Sequence, residues 1–345
     1  MSDGLSDEIA GFLASMLGTG DLRLLAYRRS VEGFSWETYD VGVGWTKEGS
    51  WHEREFIIHR APSAGLLEPY RARPLFELRR ALEGLDGVPV PAALWLDDDG
   101  TATGRPLYVM EKVSGEVPTQ WTSDRFFEST QQRTETAREL MGILASLHAA
   151  PPSLAPDGIL GAGDLDALGE IAYWHEIYRR DCLEPVPALE WGFAWLLANT
   201  HSVSGRRALL HGDFRTGNYM VRCGEIVAVL DWEEAHVGDP VQDLAHCGLR
   251  LFRGRTKLAS GLVPLPDLLD FYEEAAGWEV PRDSFHFWSV YEAVYTTVTM
   301  HRAGSLFGRG RSDDVRYAAL DYQAHHNHRH VLDYVEAAEA RAEPR

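Results

Sequence analysis

The stretch Leu209-Leu210-His211-Gly212-Asp213-Phe214-Arg215-Thr216-Gly217-Asn218-Tyr219-Met220-Val221-Arg222 leads into the apolar run Ile226-Val227-Ala228-Val229-Leu230 and then Asp231-Trp232-Glu233. It sets an Asp, an Asn five residues on, and a second Asp eighteen residues after the first, with two short apolar runs between them. Such runs read as strands, because β-branched and aromatic residues fit a pleated, half-buried surface. Transfer of a phosphoryl group asks little covalent work of a protein. It needs a carboxylate beside the acceptor hydroxyl and oxygen ligands for Mg²⁺. The layout therefore predicts a phosphoryl-transfer centre in which Asp213 accepts or orients the hydroxyl proton and Asn218 and Asp231 hold the metal. Singly, each acid would more often be an exposed surface residue; the signal lies in the combination.

On the N-terminal side the pattern is strand-like at 22–29, 37–43 and 53–60. Leu75, Leu78, Leu82 and Leu85 then recur at helical spacing within 71–85, and strands are expected at 92–96 and 106–113. The order is β-β-β-α-β-β, preceded by a helix over about 5–17. Beyond Gly115 helical patterns dominate, at 123–149, 165–179, 188–200, 240–252, 266–276, 283–302 and 312–339. The apolar β-pattern gives way near 111–115, which divides the chain into an N-terminal lobe of 1–112 and a C-terminal helical lobe of 113–345.

A chain of 345 residues with 45% apolar side chains can bury two cores. Against 52 acidic residues stand 33 basic ones, a formal charge of −19 spread along the chain. That balance argues against nucleic acid or an anionic membrane as partner, since phosphate binding needs a basic surface. It would suit a cationic substrate, and solubility alone explains it equally. The acidic N-terminus lacks a secretory signal, and no window approaches the roughly eighteen apolar residues of a membrane span. Cys182, Cys223 and Cys247 are too few and too scattered for a disulfide framework or zinc ribbon. A cytoplasmic protein with buried thiols is expected.

The segments His211-Gly212-Asp213-Phe214-Arg215-Thr216-Gly217-Asn218, Leu230-Asp231-Trp232-Glu233, Gly238-Asp239-Pro240 and Asp243-Leu244-Ala245 together resemble the aminoglycoside phosphotransferase family, relatives of choline kinases within the protein-kinase-like fold. The similarity runs from about residue 30 to 302. It implies a bilobal α+β fold, with a small antiparallel-sheet nucleotide lobe carrying one key helix and a larger, mainly helical lobe holding the catalytic loop and the acceptor site. It also implies Asp213 as base, Asn218 and Asp231 as Mg²⁺ ligands, and ATP, with GTP as the alternative, as donor. The acceptor would be a small hydroxylated molecule: aminoglycoside-like, macrolide, choline-like or hydroxyacyl. Monomer and homodimer are both compatible. A protein kinase fits less well, for the chain lacks a full Gly-x-Gly-x-x-Gly and any Ala-Pro-Glu after Asp231. Within the motif, Arg215 could counter phosphate charge or pair with a nearby acid. His211 and Asp243 read as hydrogen-bonding supports, and Asp239 as a helix start.

On the nucleotide side, Gly33-Phe34-Ser35-Trp36-Glu37-Thr38-Tyr39 is similar to the turn over the phosphates, with Ser35 as a contact. Leu107-Tyr108-Val109-Met110-Glu111-Lys112-Val113 is similar to the hinge strand. Met110 would guard the adenine, with the Glu111 carbonyl and Val113 amide facing its edge. The family usually places a Lys or Arg where this chain reads Ile57-Ile58-His59-Arg60-Ala61-Pro62. Strand alternation puts His59 and Arg60 on opposite faces, so one alone can reach the phosphates. His59 fits by spacing; Arg60 is the better phosphate ligand, and the choice falls on it. Glu77 is the acid available to pair with it from the helix, and in the alternative register the position is Leu75 and the pair is missing. That irregularity motivates a second function class, a weakly active or inactive member that binds nucleotide or ligand.

In the helical lobe, Tyr173-Trp174, Tyr178, Phe285, Trp288, Tyr291 and Tyr295 form aromatic stripes at helical spacing, read as packing, with an acceptor pocket as the other use. Glu233 and Glu234 could meet a cationic acceptor or simply line a solvated turn. His326 and His330 share a helix face but lack a third ligand nearby in sequence for a metal.

Overall fold

A computed structural model describes residues 4–30, 33–159, 166–182 and 184–342. They divide into two compact units, one falling within 1–84 and 90–114 and the other within 85–89 and 115–345.

The first unit opens with helix α1 (Gly4–Leu17), followed by β1 (Arg23–Arg29), β2 (Glu37–Lys47), β3 (Ser50–Arg60), α2 (Ala72–Leu82), β4 (Ala93–Asp97) and β5 (Leu107–Glu111). The strands form one antiparallel sheet in the order β1-β2-β3-β5-β4. Strands β2 and β3 run longer than the sequence pattern suggested. Glu48 and Gly49 take φ of 53° and 78°, the two left-handed positions of a tight hairpin turn whose twist matches that of the strands, so pairing continues to Lys47↔Ser50. The sheet buries both faces. Ile9 and Leu13 of α1 belong to the core of Val41, Phe56, Ile58 and Val109, while Ala72 and Leu75 of α2 pack with Trp36, Tyr108 and Met110.

The second unit holds α3 (Ser123–Phe126), α4 (Thr130–Ala149), α5 (Ala167–Asp181), α6 (Pro187–Ala198), β6 (Ala208–Leu210), β7 (Tyr219–Arg222), β8 (Glu225–Val229), β9 (His236–Gly238), α7 (Val241–Cys247), α8 (Leu265–Ala276), α9 (Arg282–Gly308) and α10 (Val315–Ala342). Several boundaries differ from expectation. The helix expected over 123–149 is broken, because Phe127 is extended and Ser129 starts α4 afresh by accepting the Gln132 N–H at 3.1 Å. The start expected at 165 lies outside the described residues. Helix α7 stops at Cys247 before Gly248 and gives way to a 3-10 turn at Arg250–Arg253. Helix α9 runs on to Gly308 because Ala303, Ser305 and Leu306 remain buried.

Residues 85–89, placed with the first lobe on sequence, pack with the second unit: the Val229 N–H donates to the Pro89 carbonyl at 2.8 Å. The thiols also depart from the reading, for Cys247 alone is buried and Cys223 is exposed. No helix among the described residues is long and apolar enough to cross a membrane.

Candidate phosphoryl-transfer site

Strands β6 and β9 pair, and β7 and β8 form a hairpin; the loop 211–218 joins the two small sheets. Asp243 holds that loop from below. Its carboxylate, fully buried, accepts the backbone N–H groups of His211 and Gly212, both at 2.8 Å, and His148 Nε2 at 3.1 Å. Burial alone would raise its pKa, but the bonds to His148 and the charges and amides beside it prevail and hold it down to about 2. His211 Nε2–H donates to the Leu230 carbonyl at 2.7 Å, which leaves Nδ1 to accept the Asp213 N–H at 3.2 Å. The loop thus turns on Gly212, whose φ is 87° and where a Cβ would sit 2.3 Å from the Glu234 carbonyl oxygen.

The Asp213 carboxylate is gripped from three sides. Arg215 donates from Nε to Oδ1 at 2.6 Å and from Nη2 to Oδ2 at 3.0 Å, while its guanidinium lies 4.6 Å from the Phe252 ring centroid. Asn218 Nδ2 donates to Oδ2 at 2.6 Å and to the Asp213 carbonyl at 2.9 Å. His246 Nε2–H donates to Oδ1 at 2.7 Å, and its Nδ1–H to Glu292 at 2.7 Å. Burial works against the Asp213 charge, yet Arg215 and His246 outweigh it and keep the carboxyl well below the usual carboxylate range. Burial likewise works against the His246 charge, and its bonds to Asp213 and Glu292 lift it to about 10, so it is an imidazolium between two carboxylates. Neither His246 nor Glu292 was singled out from sequence.

Asn218 and Asp231 are brought side by side by the hairpin. The Leu230 N–H donates to the Asn218 carbonyl at 2.8 Å, so Asp231 follows directly on the residue bonded to Asn218. Asp231 sits at φ 63°, ψ 57°, left-handed backbone that costs a residue with a Cβ about 1 kcal/mol, and the chain turns there into Trp232–Glu234. The amide nitrogen of Asn218 is spent on Asp213, which leaves its amide oxygen as the atom suited to a hard cation. Glu234 lies beside Tyr295, and burial first, then Asp213, pushes its carboxyl up to about 8.

A phosphotransferase enzyme family model matches residues 32–283. The chain belongs to the phosphotransferase enzyme family. Solved structures with its fold include a protein from Ralstonia eutropha assigned as an aminoglycoside phosphotransferase, 21% identical, covering 96% of this chain and 98% of that one at a TM-score of 0.72. A thermostable aminoglycoside phosphotransferase in ternary complex with ADP and hygromycin B is 15% identical, with 95% and 98% covered and a TM-score of 0.63. Among curated proteins, acyl-CoA dehydrogenase family member 11 of Homo sapiens is 28% identical over 236 residues, 64% of this chain and 30% of that protein. Family member 10 of Mus musculus is 28% identical over 260 residues, 71% and 22%. The chain spans less than a third of the length of these two relatives.

The first unit places the remaining predicted residues differently from one another. Ser35 hydrogen-bonds Tyr70 Oη at 3.1 Å. Met110 is buried beside α2, Glu111 ends β5 with its N–H on the Ala92 carbonyl at 2.9 Å, and Val113 lies half-buried just beyond. Arg60 is not available to a phosphate, because it spends Nε and Nη2 on Thr103 and Nη1 on Glu37 at 2.9 Å. His59 is on the other face, bonded to Tyr108 Oη at 2.8 Å, and burial followed by the charge of Arg79 pushes its pKa down to about 3. Glu77 pairs with neither; it is half-exposed and lies 3.7 Å from Arg73 on its own helix.

The aromatic stripes are packing, with Trp174 and Tyr295 rings 4.6 Å apart and Trp288, Tyr291 and Phe285 buried. His326 is exposed and His330 bonds Asn327, and no cluster of three metal-type side chains occurs among the described residues. Asp239 lies one residue before the cap position of α7, held by Pro240, and accepts the Val241 N–H at 3.0 Å.

Proposed function

We propose that the chain is a small-molecule kinase that moves the γ-phosphoryl group of ATP, or GTP, to a hydroxyl of an aminoglycoside-like or other small hydroxylated acceptor. Asp213 carries this reading: it is a partly buried carboxylate kept ionised and aimed by Arg215, Asn218 and His246. Asn218 and Asp231 would hold Mg²⁺, for which a neutral amide oxygen and a carboxylate are a fitting hard-oxygen pair. When bound, the ion supplies charge neutralisation for the phosphates. Met110, Glu111 and Val113 would border the base and Ser35 the phosphates.

All four hydrogen-bonding sites of the Asp213 carboxylate are filled by its own neighbours. An incoming hydroxyl must displace one of them. Arg215 is the partner able to leave, since a phosphate oxygen offers it an equivalent bidentate acceptor. With its pKa so low, Asp213 orients the hydroxyl and takes the proton late.

A cationic acceptor would be met by Glu233, and by Glu234 where the cation's own charge draws off its proton. The names of the curated relatives give reason to include hydroxyacyl thioesters beside aminoglycosides, macrolides and choline-like amines. ADP release measured across that set, with ATP and GTP and with and without Mg²⁺, is the test. One class that raises release well above the acceptor-free rate is expected; no stimulation by any of them, with nucleotide bound, would favour a binding protein.

A further inference from the structure

Arg79 lies in the middle of α2 with 2% of its surface exposed, and its Nε and Nη1 are buried without a hydrogen-bond partner. No ion pair among the described residues includes it, and Glu77, two positions away on the helix, faces Arg73 instead. A guanidinium stays charged at any physiological pH, and a buried cation without an anion is strongly destabilising. Fully buried Arg is rare for that reason.

Among the described residues no carboxylate forms an ion pair with it. The guanidinium stands 5.7 Å from the Tyr108 ring centroid, a cation–π contact. Across the β3–β5 ladder Tyr108 pairs with His59 and is hydrogen-bonded to it, and that imidazole is kept neutral by burial and by Arg79 itself. Trp36 and Tyr70 complete an aromatic enclosure on the α2 face of the sheet, and Met110 lies on the same face. Arg60, on the opposite face, is spent on Glu37 and Thr103. One buried guanidinium with two idle donors therefore stands where the third strand offers no cation.

We propose that Arg79 is the phosphate-binding cation of the nucleotide site, so that the charge expected from β3 is supplied by α2, to a nucleoside di- or triphosphate. The inference rests on the nucleotide-dependent reading above. Nε and one Nη of an Arg form the planar fork that takes two oxygens of a phosphate. A polyphosphate would satisfy both buried donors and the orphan charge together. Arg79 also falls one helical turn after Leu75, on the helix face that packs on the sheet.

Binding to the full chain tests this, with Mg-ADP by calorimetry and adenosine by competition, for the wild type, Arg79→Met and Arg79→Lys. Arg79→Met is expected to weaken ADP at least tenfold and adenosine less than twofold, with an unliganded melting temperature equal to or above wild type, since an unpaired buried charge is removed at similar volume. Arg79→Lys, which keeps the charge and loses the fork, is expected to fall between the two and guards against a Met variant that fails to fold. ADP affinity unchanged in Arg79→Met, or ADP and adenosine weakened alike, overturns the proposal. A wild type that binds adenosine but not ADP overturns it too. A wild type that binds no nucleotide at all overturns the underlying reading with it.

Discussion

At the scale of single residues, the site is organised around one carboxylate, Asp213, whose ionisation is guaranteed by two cations and an amide. Asp213→Ala removes the group proposed to align the hydroxyl and leaves the β7–β8 hairpin that Asn218 and Asp231 flank. Turnover is expected to fall on the order of 10²–10⁴-fold with nucleotide affinity nearly unchanged. Steady-state rates with the acceptor identified by ADP release check this, and a variant of normal rate would remove Asp213 from the chemistry. Asp231→Ala is expected to behave the other way. Its Mg-nucleotide affinity should drop about tenfold or more while metal-free binding is preserved, and titrations with and without Mg²⁺ would reveal equal losses if Asp231 held no metal. These two residues and Asn218 were legible in the sequence because they occupy one contiguous stretch with fixed spacing. His246 and Glu292 were not. They reach the site from 33 residues beyond Asp213 and a further 46 beyond that, with no periodic or motif signal to link them.

At the scale of elements, the loop between β6 and β7 is set by a carboxylate under it and a glycine within it. Asp243 supplies the two charge-assisted bonds, and Gly212 allows the left-handed turn against the Glu234 carbonyl. Gly212→Ala combines an unfavourable φ with a clash against backbone that cannot rotate away. It is expected to lose at least about 2 kcal/mol of stability, read as a lower midpoint in urea unfolding. An unchanged midpoint would mean the loop can re-form without that turn. The strand and helix order of the first unit was readable because alternation and 3.6-residue spacing are local signals. Alternation also separated His59 from Arg60 correctly onto two faces. Which face carries the usable cation was not readable, since it depends on Glu37 and Thr103, 23 and 43 residues from Arg60, capturing that guanidinium.

At the scale of the whole molecule, buried titrating groups give the fold a pH signature with a definite sign. His246, lifted to about 10 from an ordinary 6.5, lends stability that is complete below pH 6.5 and lost as pH rises through 10. Glu234, lifted to about 8 from 4.5, acts in the same direction between those two values. Asp243 and Asp213 act oppositely: stability present above pH 4 is lost as pH falls through 2. Melting temperatures followed by circular dichroism are expected to be highest near pH 4–4.5 and to fall by several degrees toward pH 10. The alkaline slope should flatten in His246→Asn, and an equal slope there would show that the imidazolium is not what titrates. Composition, periodicity and one dense motif were enough to specify the class of fold and the order of its elements and to single out Asp213, Asn218 and Asp231 as the candidate site, because each of those rests on near neighbours in the chain. Only the folded structure decided that His246 and Glu292 complete the carboxylate's surroundings, that Arg60 is consumed internally, and that Arg79 is buried without an ion pair among the described residues. Those outcomes turn on burial and on pairings between distant segments, and desolvation, which decides what a charge is worth, exists only once the chain has closed around it.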